Sequence, residues 1–250
     1  MDAADWLRFC EDYDVKLALL SRDRARTLAK FTDKLASGYT LFYSGDGYDD
    51  HEYRCTDRFE VPRGLEGRAA VANYALRQLD QRIVILIPDD LKVVYWLGEA
   101  HPQRLDSSGF LVLLVNLVIN ALDVGASLFG VSEVDIRKTS PLLPFHTRAM
   151  VQGIAGIVGR DVWFDERQKL KEDYDFTLQH LKLNRLVWKD MRYFCYKDMN
   201  VLAGGNMAFR TEAREEAEVA NLKRWWGEDM IQWKPSGRKG QSTKSLGIRV

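Results

Sequence analysis

Two acidic clusters in this chain have the residue types and the setting to handle metal, phosphate or protons. The first is Asp89–Asp90, which follows the apolar run 82–87 (RIVILI) and Pro88. A run apolar on both faces reads as a central parallel strand, and open α/β sheets bind ligands beyond the carboxyl ends of such strands. Two adjacent carboxylates there suit a hard divalent cation, which takes oxygen ligands and bridges to nucleotide phosphates. The plainer alternative is a strand-ending turn with Asp as a cap. The second cluster is Glu172, Asp173 and Asp175, early in a helix predicted from FDERQKLKEDYDFTLQHLK. Leu170, Tyr174, Leu178 and Leu181 fall within roughly 80° of one another at helical spacing, so one flank is expected on a core. Asp173 and His180 share a neighbouring line, where they would face a cavity beside it. Acidic residues there also complement the helix dipole and cap free N–H groups, at about 0.5–2 kcal/mol per good cap.

The elements that must hold these clusters alternate. Residues 15–20 (VKLALL) form a strand, 21–26 a polar break, and 27–35 a helix carrying Leu28, Phe31 and Leu35. A strand over 39–43 (YTLFY) runs into a Gly- and Asp-rich loop, 44–50. A helix over 67–79 precedes the strand 82–87. The second half holds an apolar helix at 110–122, a strand at 127–131, the acidic helix, returns to the sheet at 186–188 and 201–209, and a helix at 211–226. This alternation predicts an α/β layered sheet. The segment 234–250 is basic, with Lys234, Arg238, Lys239, Lys244 and Arg249 and no carboxylate.

Composition narrows the function. The chain of 250 residues is 46% hydrophobic and 29% charged with zero net charge, as in a soluble globular protein. No global field draws it to nucleic acid or an anionic membrane, so such contact needs a local patch. Cys10, Cys55 and Cys195 are scattered and form no CxxC pair, which argues for a reducing compartment and against structural zinc. The acidic N-terminus lacks the pattern of a signal peptide, and 110–122, interrupted by Asn116 and Asn120, is too short and polar to span a bilayer. A cytoplasmic protein without a membrane partner is expected.

The Glu172–Asp173 pair opening its helix, together with Gly204-Gly205-Asn206-Met207-Ala208-Phe209-Arg210, resembles the sugar-nucleotide glycosyltransferases of GT-A type. The Gly-Gly segment follows the acidic helix here, whereas many bacterial relatives place it before. That order is similar to a smaller branch, the phage ten-eleven-translocation-associated DNA glycosyltransferases. The resemblance implies a GT-A-like (Rossmann-like) α/β/α sandwich with a mostly parallel central sheet. It further implies one domain over 1–250, with a nucleotide-sugar half (1–100), an acceptor-side half (101–233) and the basic tail (234–250). It makes Mn²⁺ or Mg²⁺ the cofactor, a UDP-sugar the donor, and 5-hydroxymethylcytosine in DNA the acceptor.

In the roles this resemblance implies, Asp90 holds the metal with Asp89 beside it, although Pro-Asp-Asp stands where the family has Asp-x-Asp. His146 completes the metal set, with His180 a lesser candidate. Asp173 is the general base of an inverting transfer and Glu172 its support, Asp175 being weaker. Ser21, Arg22 and Arg24 grip the uridine side, Arg68 and Asn73 approach the nucleotide, and Gly204, Gly205 and Asn206 line the sugar side, where glycine permits close approach. The basic tail and Trp225, Trp226 and Trp233 would meet DNA, by charge and by stacking on an extruded base. Two rivals stay open: a protein or surface-polysaccharide acceptor, and a non-catalytic nucleic-acid-binding protein in which the acids are caps.

Overall fold

The computed structural model describes residues 1–98, 101–133, 143–197, 211–235 and 244–248. Strands β1 (Val15–Arg22), β2 (Tyr39–Ser44), β3 (Cys55–Glu60) and β4 (Ile83–Pro88) form a parallel block in the order β3-β2-β1-β4. The sheet continues through β9 (Ala155–Val158), β7 (Leu128–Ser132), β10 (Trp188–Lys197), β5 (Leu91–Trp96) and β6 (Gln103–Arg104), and β8 (Phe145–His146) pairs with β10. Here β9 is antiparallel to both its neighbours, and β7 and β10 are parallel. Hence β1, β4, β7 and β10 all point the same way, and their carboxyl ends share one edge.

Both faces of the central strands are buried, which is why they read as continuous apolar runs. On β4, Ile83, Ile85 and Ile87 enter one core while Val84 and Leu86 enter the other. The first core is covered by α1 (Ala3–Tyr13), α2 (Ala25–Lys30), α3 (Thr32–Leu35) and α5 (Ser107–Val124); the second by α4 (Arg68–Gln78) and α6 (Glu172–Asn184). A Cβ on Gly156 would lie 2.0 Å from the Phe129 ring, so β9 and β7 approach closely only with glycine there.

Several elements differ from expectation. Residues 27–35 make two short helices, broken at Phe31 (φ −120°, ψ −76°). The N-terminus forms α1, capped by Asp2 through the Asp5 N–H and anchored by buried Trp6. The apolar helix runs from Ser107 to Val124, and among the described residues it is the one helix long and apolar enough to cross a membrane by length and composition. Its Phe110, Leu113, Leu114, Leu117 and Val118 are buried in the first core. The stripe on α6 divides: Tyr174 and Leu178 pack on α7 (Glu212–Trp226), Leu181 turns to the sheet, and Leu170 precedes the helix. That helix is sandwiched between sheet and α7, so one flank cannot describe it. In the tail, β11 (Ile231–Pro235) pairs antiparallel with β12 (Lys244–Ile248) as a separate two-stranded sheet, so that end is not wholly irregular. The expected strand at 201–209 lies outside the described residues.

Candidate functional site

Beyond the ends of β1 and β4, Asp89 and Asp90 occupy the tight turn into β5, both buried. A single atom, Arg24 Nη1, meets both carboxylates, at 3.0 Å from Asp89 Oδ1 and 3.3 Å from Asp90 Oδ2. Ser21, next to last on β1, donates to Asp89 Oδ2 at 2.8 Å and shares a 2.6 Å hydrogen bond with the Tyr48 hydroxyl. Tyr48 comes from the Gly- and Asp-rich loop and accepts the Arg24 N–H, which fixes where that arginine starts. Burial pushes the Asp89 carboxyl up to about 6 against the pull of Arg24, with Asp90 adding to the rise. The turn is therefore an acidic unit whose two carboxylates converge on one positive side chain.

A second unit lies on the same edge. Lys197 ends β10, where a register shift after Tyr196 disturbs its pairing with β5; such irregularities re-aim a side chain. Its ammonium lies 2.6 Å from the carboxylate of Glu133, the residue after β7. Burial opposes the charge on Lys197, but Glu133 and then Asp90 outweigh it and raise its pKa, while nearby Arg68 acts the other way. Lys197 thus stands in the field of both the Asp90 turn and Arg68. Gly153 (φ +66°) makes room for the pair: a Cβ there would lie 1.6 Å from Glu133 Oε1.

Arg68, at the start of α4, carries the site on to α6 through an ion pair with Glu172 (3.5 Å). Glu172 is buried, and its Oε2 lacks a hydrogen-bond partner. Burial and then the neighbouring Asp173 push its carboxyl up to about 7, against Arg68. Asp173 is half-buried and accepts from Gln152 Nε2 at 2.7 Å. Burial lowers the pKa of Lys189 of β10, and Glu133, Cys195 and Asp173 act against that fall. The start of α6 has no side-chain cap of its own. Glu218 of α7 instead accepts the N–H groups of Lys169, Leu170 and Lys171 at 2.7–3.1 Å, which fixes the approach to Glu172 and Asp173.

The structure thus brings Ser21, Arg24, Asp89 and Asp90 into direct contact, and Arg68 with Glu172 into a second group beside Asp173. Other expected residues fall elsewhere. Arg22 lies 3.7 Å from exposed Asp23. The Asn73 amide is occupied by the backbone of Phe164 and by Glu166, so it braces α4 rather than facing a nucleotide. His146 pairs with Lys189 near the start of β10, at the opposite end of that strand from Lys197. His180 does not share a cavity with Asp173: its Nδ1 meets Ser127 Oγ at 2.7 Å, its ring packs on Phe176, and burial lowers it to about 4. Trp226 donates to Asp175 at 2.8 Å and Trp225 stacks under Arg167, so both serve packing. Gly204, Gly205 and Asn206, with Arg238, Lys239 and Arg249, lie outside the described residues, and so does the Trp233 side chain. Among the described residues no three or more His, Cys, Asp or Glu side chains group to hold a metal.

Glu133, Lys197, Tyr48 and Glu218 escape the sequence reading. Glu133 carried a usable signal, a carboxylate just after a buried strand, as Asp89 is. The other three depend on contacts between distant segments.

No protein-family model matches the sequence, and no curated protein matches it. Solved structures share the fold. Glucosyl-3-phosphoglycerate synthase from Mycobacterium tuberculosis, in complex with Mn²⁺, uridine diphosphate and phosphoglyceric acid, superposes with a TM-score of 0.53 at 12% identity, over 98% of this chain and 90% of that one. A mycobacterial protein gives 0.52 at 15% identity, over 100% of this chain and 88% of that one. Residues 1–349 of S. aureus TarS give 0.47 at 12% identity over 72% of this chain, which spans 59% of that one. The likeness is one of fold, and the fold is GT-A-like.

Proposed function

We propose that this protein is a glycosyltransferase that moves a sugar from a UDP-sugar to a hydroxyl group. The observation that carries the reading is the convergence of Asp89–Asp90 and Glu172–Asp173, through Arg24, Lys197 and Arg68, on one carboxyl edge of a GT-A-like sheet. A structure of this fold holds Mn²⁺ and UDP. Asp89 and Asp90 supply the carboxylate oxygens that a hard divalent cation takes, and such a cation would displace Arg24 from its place between them. Asp90, with Asp89, would hold it, and when bound it supplies Lewis-acid stabilisation of the leaving diphosphate. His146, paired with Lys189 near the start of β10, stands apart from this pair of carboxylates.

Asp173 takes the proton of the acceptor hydroxyl as that oxygen bonds to the anomeric carbon and the bond from that carbon to the diphosphate breaks, releasing UDP. Direct displacement of this kind inverts the anomeric centre. Glu172 and Gln152 position Asp173. Residues 1–100 serve the donor, apart from the basic face of α2, α3 and β5 described below, and 101–233 the acceptor. We assign 5-hydroxymethylcytosine in DNA as the acceptor and the cytoplasm as the compartment; the acceptor assignment rests on the resemblance carried by the Gly204–Gly205 segment following the acidic helix. Release of UDP from a panel of UDP-sugars with Mn²⁺ and hydroxymethylated DNA tests the reading, with mass spectrometry of the DNA. Asp90→Asn should abolish transfer while leaving the fold intact, and chelation should silence the wild type. Activity that survives verified metal removal would exclude the metal.

A further inference from the structure

On the face formed by α2, α3 and α5, a cavity of about 350 Å³ opens between the end of α2, α3, the start of β5 and the start of α5. Lys30, Lys34, Lys92 and Arg104 line it, with Phe31 at its wall and Asp106 the single carboxylate. That carboxylate caps α5 by accepting the Gly109 N–H, so it is partly spent. The Lys30 and Lys92 ammonium groups stand 5.2 and 5.0 Å from the Phe31 ring centroid, a separation at which the ring face attracts each cation. Two like charges are thereby held over one ring. The chain as a whole is neutral, so four cations around one opening are a local excess.

The cavity is coupled to the acid-pair turn. Thr32 Oγ1 donates to the Pro88 carbonyl at 3.0 Å and accepts the Leu91 N–H at 3.1 Å. Helix α3, which carries Lys34, is therefore tied to both sides of Asp89–Asp90, and Lys92 follows directly on β5.

We infer that this cavity binds the phosphodiester backbone of the DNA acceptor, holding the strand beside the catalytic edge; the acceptor part rests on the function proposed above. The chemistry is that of phosphate recognition. Lysines act as point charges on phosphate oxygens and position the strand without reading its sequence. The volume suits a phosphate with its sugar, whereas the width of a duplex would have to lie across the rim. This assignment moves the main DNA contact from the C-terminal segment to the face formed by α2, α3 and β5.

The test is fluorescence anisotropy of the full chain with an unmodified single-stranded oligonucleotide across a salt series. The variant carries Lys30→Gln, Lys34→Gln and Lys92→Gln together. On a single strand each neutralised phosphate contributes about 0.7 to the slope of log K against log salt. The triple variant should therefore lose roughly 2 from that slope, keep its UDP affinity and melting temperature, and regain binding when the three positions are Arg. An unchanged slope, or no binding by the intact chain at low salt, overturns the inference. So does a loss that Arg fails to restore and that comes with a lower melting temperature, which marks a structural role. Binding of inorganic pyrophosphate by calorimetry, where the oligonucleotide does not bind, would leave a small-phosphate site and overturn the DNA assignment. If the slope changes as expected but no UDP-sugar yields UDP, the transferase reading fails and the DNA contact stands.

Discussion

The two acid pairs of the charged edge use the same chemistry to opposite ends. At the β4 turn, Arg24 meets both carboxylates and Ser21 satisfies a third oxygen. At the start of α6, Glu172 has only a 3.5 Å contact with the more exposed Arg68 and leaves Oε2 unpartnered, while Asp173 is half-buried and bonded to Gln152. The first pair is fixed in place around a positive side chain, although burial and Asp90 raise Asp89 to about 6. The second is under-compensated and suits moving a proton. Burial and pairing, more than residue type, assign the two tasks.

The largest effect expected from this contrast is on stability. Arg24→Met leaves Asp89 and Asp90 buried without their cation, and breaking a buried pair this way costs about 3–5 kcal/mol. Arg68→Met should cost less, because its contact with Glu172 is longer at 3.5 Å and Glu172, raised to about 7, takes up a proton when the cation is lost. Urea unfolding of the two variants measures the difference, and equal losses would erase the distinction between the pairs.

Next comes catalysis at the second pair. Asp173→Asn nearly preserves volume but removes proton acceptance, so turnover should fall by roughly 10²–10⁴ while UDP affinity barely moves. Asp175→Asn should be mild in turnover, since that carboxylate is taken up by Trp226 and Gln179. Reversal of these two results would exchange their roles.

The under-compensated Glu172 has a smaller, pH-dependent signature. Its carboxyl is raised from 4.5 to about 7 by burial and Asp173, so the folded state holds the proton more tightly than the unfolded chain. This raised pKa costs nothing below pH 4.5, costs progressively more through that window, and costs most above pH 7. Glu172→Gln should therefore be more stable than wild type at pH 8, by on the order of 2 kcal/mol, and no more stable at pH 4. A difference independent of pH would show that Glu172 titrates alike in the folded and unfolded chain. The smallest effect is at the support: Trp226→Phe removes the bond to Asp175 and should cost about 1 kcal/mol in thermal melts.

Much of the fold was legible because burial on both faces leaves a plain trace. The runs 15–20, 39–43 and 82–87 are strands, and their alternation with helices gives the layered sheet. The acid pair after 82–87 falls at a carboxyl edge for the same reason. Strands β3, β5, β9 and β10 left weaker traces. β3 is exposed along most of its length, β9 is short, and β10 carries charges that find partners only across the sheet. Asn73 and His180 misled because a polar side chain on a helix looks the same whether it meets a ligand or a distant backbone.

The sequence by itself determined the layered α/β architecture and the two acidic clusters, since both rest on local patterns of apolar period and residue type. Tertiary structure decided which charges meet. Arg24 reaches Asp89 and Asp90, Lys197 reaches Glu133, and Glu218 caps the entry to α6, all between segments far apart in the chain. Pairing and desolvation set the proton affinity of each carboxylate, and both depend on neighbours that only the folded chain supplies.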